Sequence, residues 1–225
     1  MNKGAFTGRA QAYTEARPGY SNEAVEYIYS LAAPNAVFAD IGAGTGKFTE
    51  LIARYGNEIF AVEPNEDMLE QLAITLAPYK NAKIFDGTAE ATRLPDKSID
   101  VITNAQALRR FNIDAFRAEC ERIGKSNPIV ITIFNGGKYG VSEGYRKATS
   151  ALYRNPIMRE FPNPLFFTRE KWHLYYASME GVPLPNDSKY EEWTAELNER
   201  FDRESVDGIL RLDEVTRVYS EVLKV

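Results

Sequence analysis

The chain contains the segment Ala36-Val37-Phe38-Ala39-Asp40-Ile41-Gly42-Ala43-Gly44-Thr45-Gly46-Lys47. An apolar run typical of a buried strand ends in an acid and is followed by three glycines at alternate positions. A helical pattern begins at once, with Phe48, Leu51 and Ile52 on one face. Glycine permits positive φ and close approach of a ligand, and the next helix offers free N–H groups at its N-terminus. The segment therefore predicts a strand, a ligand-binding glycine loop and a helix.

The spacing of these glycines separates several kinds of nucleotide site. A dinucleotide loop favours G-x-G-x-x-G, but its last glycine would fall on Lys47, and a P-loop needs Ser or Thr where this chain has Phe48. The run from Asp40 to Gly46, D-I-G-A-G-T-G, instead resembles motif I of the class I S-adenosyl-L-methionine (SAM)-dependent methyltransferases. A tight turn without a ligand is the alternative. The resemblance assigns these residues to the cofactor: Asp40, Gly42, Ala43, Gly44, Thr45 and Gly46.

A second predicted strand, at 58–63, ends in Glu63. A carboxylate at this position can accept both ribose hydroxyls of a nucleoside, in an NAD site as well as in a SAM site. The run that begins Glu63-Pro64 and continues to Met68 resembles motif II of the same family. The resemblance implies that Glu63 holds the ribose, with Pro64 beside it, and that Met68 packs near the adenine. A place for Met68 in the core is equally compatible with the pattern.

Two further loops are assigned to the cofactor by resemblance. One follows the predicted third strand at 82–85, where family members often carry G-D-A-E or G-S-A-E along the adenine edge. Thr88 replaces the common acid there, which leaves a backbone contact from Ala89 as the alternative to a carboxylate contact. The other loop closes the predicted fourth strand at 101–106. The residues assigned in this way are Thr88, Ala89, Glu90, Asn104, Ala105 and Gln106.

The residues after strand 4 are the clearest departure from the family. Arg109 and Arg110 stand where the family stretch, A-Q-A-x-H-W-F, carries aromatic-type residues. The resemblance implies that this loop lies beside the transferred methyl group. Because a guanidinium binds a carboxylate or phosphate through two parallel hydrogen bonds, we predict that Arg109 and Arg110, with Phe111, contact an anionic substrate. A solvated pair of arginines is the alternative.

The N-terminal segment 1–20 is too regular in aromatics and arginines for a disordered tail. It resembles the F-x-x-R-A…R-P-x-Y segment with which many small-molecule methyltransferases of this group begin. The resemblance implies that the segment folds over the cofactor pocket, that Tyr13 and Arg17 face the cofactor, and that Arg17 is a partner for its carboxylate. An arm that only packs on the domain is the alternative.

An insertion rich in aromatic and basic residues follows the predicted fifth strand and spans 135–188. Helices are predicted near 141–154 and 168–178. A hydrophobic cluster with cationic groups suits a lid over a pocket for a planar or anionic small molecule, and we name Tyr139 and Trp172 as substrate contacts. A cap that packs on itself is compatible with this interpretation. His173 is interpreted as structural, so no catalytic residue is assigned.

The predicted fold is an α/β, doubly wound, mostly parallel seven-stranded Rossmann-like sheet. By family resemblance its strand order is 3-2-1-4-5-7-6, closed by a hairpin of 208–212 with 215–223. The SAM-binding domain is predicted to comprise 1–134 and 189–225, with the helical lid at 135–188. The ligand is expected outside the carboxyl ends of the strands, where the strand order reverses.

Composition narrows the class of protein. The 225 residues are 44% hydrophobic and 26% charged, with a net charge of −5, which disfavours a nucleic-acid surface. No apolar run reaches the length of a membrane span, and the N-terminus lacks the apolar core of a signal peptide, so we expect a cytoplasmic protein with no membrane partner. The single cysteine, Cys120, is predicted to lie in the core and excludes an internal disulfide and a cysteine-rich metal site.

The functional interpretation is transfer of a methyl group from SAM to a small, anionic metabolite, with S-adenosyl-L-homocysteine (SAH) as the product and no metal. We expect a monomer or a homodimer. A different reaction at a SAM site, such as that of a cyclase or of a carrier-protein carboxyl methyltransferase, is an alternative. The alternative function from another class of protein is a catalytically altered SAM-binding regulatory or partner subunit. Arg109 and Arg110, in place of the aromatic-type residues of the family, favour this alternative.

Overall fold

The computed structural model describes residues 17–179 and 181–224. In chain order the elements are α1 (Asn22–Leu31), β1 (Phe38–Ile41), α2 (Lys47–Ala53), β2 (Ile59–Glu63), α3 (Glu66–Leu76), β3 (Ala82–Asp86), β4 (Ile99–Ala105), a 3₁₀ turn (Leu108–Arg110), α4 (Ile113–Ile123), β5 (Gly124–Gly137), α5 (Glu143–Leu152), β6 (Ile157–Pro162), β7 (Leu165–Phe167), α6 (Arg169–Ala177), α7 (Tyr190–Glu204), β8 (Leu210–Leu212) and β9 (Glu214–Val222).

A seven-stranded sheet forms the centre of the molecule, in the order β3-β2-β1-β4-β5-β9-β6. The first five positions pair in parallel, and β9 pairs antiparallel with both β5 and β6. The strands from β1 to β5 are rich in β-branched and apolar residues because the sheet is covered on both faces. The predicted doubly wound, mostly parallel class is confirmed.

Two layers of helices cover the sheet. On one face α1 and α2 pack through Val25, Ile28, Phe48 and Ile52 against inward residues of the strands. On the other face α4 and α5 pack through a second cluster, which includes Cys120 and confirms its predicted place in the core. β1 and β4 are parallel neighbours at the point where the strand order reverses, so the loops after them meet at one edge of the sheet.

The outermost strand differs from the prediction. The hairpin expected between 208–212 and 215–223 does not form; β9 pairs with β6, which comes from within the predicted lid. β8 pairs instead with β7 in a separate two-stranded sheet. As an edge strand, β6 exposes nearly all of its side chains, so its sequence carries little of the alternation that marks a half-buried strand.

The boundaries of the insertion also differ from 135–188. Helix α5 packs on the main core, with Leu152 fully buried there. A small unit is formed instead by β7, α6, α7 and β8 around its own apolar core. That core comprises Leu165, Phe167, Trp172, Tyr175, Leu197, Phe201 and Leu210. The helix at 190–204 therefore belongs with the residues that cover the sheet edge, and not with the SAM-binding domain as predicted.

In the part of the chain that the structure describes, every helix is too short or too polar to cross a bilayer.

Candidate active site

The glycine loop after β1 uses its three glycines for two purposes. Gly42, Gly44 and Gly46 have φ values of +72°, +58° and +87°, which side chains other than glycine adopt at a cost. A Cβ on Gly42 would lie 2.8 Å from the Cβ of Ala107, and one on Gly46 would lie 2.8 Å from Cδ1 of Leu72. A Cβ on Gly44 would meet no atom within 4 Å. Gly42 and Gly46 therefore allow neighbouring side chains to pack closely against the loop, while Gly44 faces open space.

Asp40 lies beneath this loop with its carboxyl group fully buried. In the sheet register it pairs with Thr103, whose hydroxyl donates to Oδ1 at 3.1 Å, and Thr49 donates to Oδ2 at 2.6 Å. Burial raises the pKa of Asp40 to about 6, although both hydroxyls favour the ionised form. Asp40 does not line the cavity described below and is placed to hold β1, β4 and α2 together under the loop.

Glu63 ends β2 next to the loop and is 6% exposed. The backbone N–H of Gly44 donates to its Oε2 at 2.9 Å, and the N–H of Asn65 donates to Oε1 at 3.0 Å. Burial raises the pKa of Glu63, and the backbone donors and the charge of Arg110 oppose that shift. Each oxygen keeps a lone pair beyond these two bonds, but Glu63 itself does not line the cavity described below.

A cavity of about 600 Å³ opens at this edge of the sheet. It lies between the glycine loop, the carboxyl ends of β4 and β5, and the small unit. The cofactor residues predicted from sequence that line it are Arg17, Gly42, Ala43, Gly44, Thr45, Ala105 and Gln106. The predicted glycine loop and the end of β4 are thus brought to one wall of one cavity.

The other predicted cofactor residues lie off this wall. Pro64, Met68 and Ala89 are buried, and Asn104 turns its amide toward β5, donating to Ile131 and Thr132. Thr88 and Glu90 are half-buried, and a carboxylate oxygen of Glu90 accepts from the N–H of Asn112. Gly46 is the N-cap of α2. Tyr13 lies outside the described residues.

The predicted substrate residues separate into two groups. Arg109 lines the cavity, with its guanidinium 5.9 Å from the ring centre of Tyr145. Arg110 does not line the cavity, and its charge lowers the pKa of Glu63 slightly against the effect of burial. The remaining three predicted residues, Phe111, Tyr139 and Trp172, do not line the cavity.

Each of those three has another environment in the structure. Phe111 is buried below the glycine loop, edge-to-face with Phe116 at 4.8 Å between ring centres. Tyr139 is 94% exposed on the loop after β5. Trp172 is 0% exposed and donates from Nε1 to the Leu197 carbonyl at 3.0 Å, so it belongs to the core of the small unit. The sequence shows that these residues are aromatic, but it does not show whether each ring packs in a core, lies on the surface or lines the cavity.

Residues 17–20 lie across the mouth of the cavity. The guanidinium of Arg17 lies 5.8 Å from the ring centre of Tyr175 and donates to the carbonyl of Ser178 at 3.4 Å. Lys47, at the start of α2, donates to the Arg17 carbonyl. Burial, and then the charge of Arg17, lower the pKa of Lys47. Asn135 holds the carbonyl of Gly19 at 2.9 Å. The segment therefore bridges the glycine loop and the small unit.

Sequence reasoning missed part of the cavity wall. Residues from the end of β5, from α5, from α6 and from β9 also line it, among them Tyr145, Tyr175, Glu214 and Arg217. Glu214 accepts from the Tyr175 hydroxyl at 3.4 Å, and burial raises its pKa. The available signal was the charge of Arg217 between apolar positions of β9, since a charge inside a covered strand needs a partner or a ligand.

The remaining reactive groups have structural environments. His173 shares a hydrogen bond of 2.9 Å with Oδ1 of Asn198. Burial raises the pKa of the Cys120 thiol well above its ordinary value, which leaves it inert as a nucleophile. Across residues 17–179 and 181–224, His, Cys, Asp and Glu side chains do not cluster in groups of three or more that could hold a metal ion.

Comparison with known proteins agrees with this geometry. Residues 39–132 match a family model described as a methyltransferase domain. An uncharacterized methyltransferase of Mycobacterium bovis is 38% identical over 103 residues, which are 46% of this chain and 40% of that protein. The chain therefore spans less than half the length of this relative.

Solved structures extend the similarity over nearly the whole chain. YcgJ of Bacillus subtilis, an uncharacterized methyltransferase, is 26% identical over 185 residues, covering 79% of this chain and 66% of that protein. Its crystal structure superposes with a TM-score of 0.61, covering 91% of this chain and 98% of that chain at 15% identity. A phosphoethanolamine N-methyltransferase of Haemonchus contortus, in complex with phosphomonomethylethanolamine and SAH, gives a TM-score of 0.55 at 15% identity, covering 98% of this chain and 58% of that chain. The chain has the class I methyltransferase fold.

Proposed function

We propose that this chain is a SAM-dependent methyltransferase that acts on a small-molecule acceptor. The observation that carries the proposal is the position of Gly44. It faces open space in a 600 Å³ cavity, and its N–H donates to the ribose-type acid Glu63. The methyltransferase-domain match over residues 39–132 covers this loop and this acid.

The residues around the loop fit SAM. Thr45 is 1% exposed and lines the cavity, and its hydroxyl has no hydrogen-bond partner among the described residues. Glu63 keeps lone pairs for the ribose hydroxyls. Arg17 brings a guanidinium to the mouth of the cavity, where it would pair with the carboxylate of the cofactor. The chain therefore offers an acceptor for the nucleoside and donors for the amino-acid part.

Bound SAM supplies an electrophilic methyl group on a sulfonium. The chain must then hold the acceptor in line with that group and exclude water, and such orientation contributes up to about 7–11 kcal/mol in well-aligned systems. Tyr20, Tyr145 and Tyr175 supply aromatic walls, and the stacked rings of Phe134 and Tyr145, 4.0 Å apart, stiffen one side. Residues 17–20 close the mouth from above.

A small molecule is the acceptor class that the cavity favours. Its volume of about 600 Å³ lies within the range typical of small-molecule sites. Arginines on its wall favour an acceptor that carries negative charge. The Haemonchus contortus enzyme, which has the same fold, is complexed with a phosphorylated amine of this size and charge.

Gly44→Val tests the cofactor assignment, with SAH binding measured by isothermal titration calorimetry. The added side chain projects into the cavity, so we expect SAH affinity to fall at least tenfold, equivalent to about 1.4 kcal/mol. Gly208→Val is the matched control, because Gly208 also has positive φ, at +74°, and an open Cβ position, and it does not line the cavity. Unchanged SAH affinity in Gly44→Val would remove the assignment.

A SAM-binding regulatory subunit is the second candidate. It is favoured by Arg110, which stands where the family stretch carries an aromatic-type residue and does not line the cavity. Incubating the purified protein with methyl-labelled SAM and a mixed metabolite extract separates the two functions. Label in a small-molecule product supports the enzyme. Tight SAH binding without any labelled product supports the regulatory subunit.

A further inference from the structure

Arg217, in the middle strand of the antiparallel part of the sheet, carries an incompletely paired charge. Its side chain is 2% exposed. Nε donates to Oε1 of Glu160 at 2.6 Å, and Nη2 donates to the carbonyl of Gly137 at 3.0 Å. Nη1 is buried and makes no hydrogen bond within residues 17–179 and 181–224. A buried donor of a charged group is costly to leave unpaired, so this nitrogen is a site for an acceptor.

The unpaired nitrogen lies beside Gly136, a residue of the cavity wall. A Cβ built on Gly136 would lie 3.2 Å from Nη1 and meet no other atom within 4 Å. Both Gly136 and Arg217 line the cavity. The missing side chain at Gly136 therefore keeps open the space through which a ligand would reach Nη1.

The charges around the cavity favour an anion beside this nitrogen. Arg17, Lys47, Arg109 and Arg217 line the cavity, against a single carboxylate, Glu214, among the described lining residues. Glu214 accepts from Tyr175, and Glu160, the ion-pair partner of Arg217, points to the outside with its side chain 43% exposed. The described lining of the cavity as a whole thus carries more positive than negative charge.

We propose that Arg217 binds an oxyanionic group, a carboxylate or a phosphate monoester, of the methyl acceptor. With Nε and Nη2 engaged, Nη1 offers an end-on contact to one oxygen of that group. Arg217 is thereby the residue that selects for anionic acceptors and positions them on the wall formed by β5 and β9. This inference rests on the proposed function.

Arg217 differs from the two arginines that the sequence singled out. Arg109 is exposed and lies over Tyr145, where water screens its charge. Arg110 does not line the cavity. Arg217 is the arginine on the cavity wall whose burial makes a charge-assisted hydrogen bond strongest.

The experiment is calorimetric titration of the SAH-saturated protein with acetate and, separately, with inorganic phosphate, at constant ionic strength. We expect saturable binding of at least one probe to the wild-type protein and at least a tenfold weakening, about 1.4 kcal/mol, in Arg217→Met. Gly136→Ala should weaken the same probe while keeping the charge, because its methyl group would occupy the approach to Nη1. Arg159→Met is the matched control, since Arg159 is exposed on β6 and does not line the cavity.

The outcomes decide the proposal. A stronger response to acetate identifies a carboxylate as the group, and a stronger response to phosphate identifies a phosphate. No saturable binding of either probe, or equal affinity in wild type, Arg217→Met and Gly136→Ala, would overturn the role of Arg217. If Arg217→Met does not fold, Gly136→Ala decides alone. If the wild-type protein does not bind SAH, the proposed function fails, and the same titrations of the cofactor-free protein still decide whether Nη1 is an anion site.

Discussion

Asp40 is the residue on which the geometry of the glycine loop depends most directly. Its carboxyl group is enclosed by β1, β4 and α2, and its charge is stabilised by two hydroxyls. The raised pKa, about 6, means that the folded protein binds this proton more tightly than the unfolded chain does. The pH window therefore lies between the pKa of Asp40 in the unfolded chain and its pKa in the folded protein. Within that window, the contribution of Asp40 to stability falls as pH rises.

Asp40→Asn removes this titration while keeping an acceptor of similar shape. From about pH 4 to pH 8, we expect the stability of the wild-type protein relative to the variant to fall by on the order of 2 kcal/mol. Urea unfolding of both proteins at the two pH values measures the difference. A constant difference between them would show that Asp40 has the same pKa in both states.

At the scale of elements, the site is assembled where several segments meet above the sheet edge. β9 lies between β5 and β6 and begins beside the end of β5, with Glu214 paired to Gly137 and Arg217 to Phe134. Residues 17–20 are tied to α2 through Lys47, to β5 through Asn135 and to α6 through Arg17. Ligand binding next to this segment should therefore change the hydrogen exchange of its backbone amides.

Hydrogen exchange of backbone amides in residues 17–20 should slow when SAH is added, because the segment closes the cavity that SAH would fill. Peptides from β3, which lies at the far edge of the sheet from β9, provide the control and should exchange equally in both states. Equal exchange of residues 17–20 with and without saturating SAH would exclude a closing role for the segment.

At the scale of the whole molecule, three large apolar cores lie around the cavity. One lies on each face of the sheet, and the third lies within the small unit around Trp172. Tyr175 belongs to the small-unit core and also lines the cavity. The small unit therefore contributes one wall of the cavity, and the stability of that wall depends on the packing within the small unit.

Trp172→Ala should destabilise the small unit by about 3–5 kcal/mol, the usual cost of truncating a buried tryptophan. Hydrogen exchange should accelerate in α6 and α7 and stay slow in β1 and β4, since the cores are separate. Trp193→Ala is the control, because Trp193 is only half-buried against the same core and should lose less. Acceleration throughout the sheet would show that the molecule unfolds as one unit.

The sequence by itself determined the parallel half of the molecule and the glycine-loop wall of the cavity. Patterns within short stretches of sequence were sufficient there. β1 leads directly into Gly42, Gly44 and Gly46, and Glu63 ends the next strand. Because these two parallel strands are neighbours, the glycine loop and Glu63 lie side by side. Only the tertiary structure decided the acceptor side. Arg217 reaches the cavity through antiparallel pairing with β5, the exposed β6 carries no alternating pattern, and Trp172 became core because it packs with residues far along the chain. These contacts join distant segments, so the sequence of one segment does not show which partner it will meet.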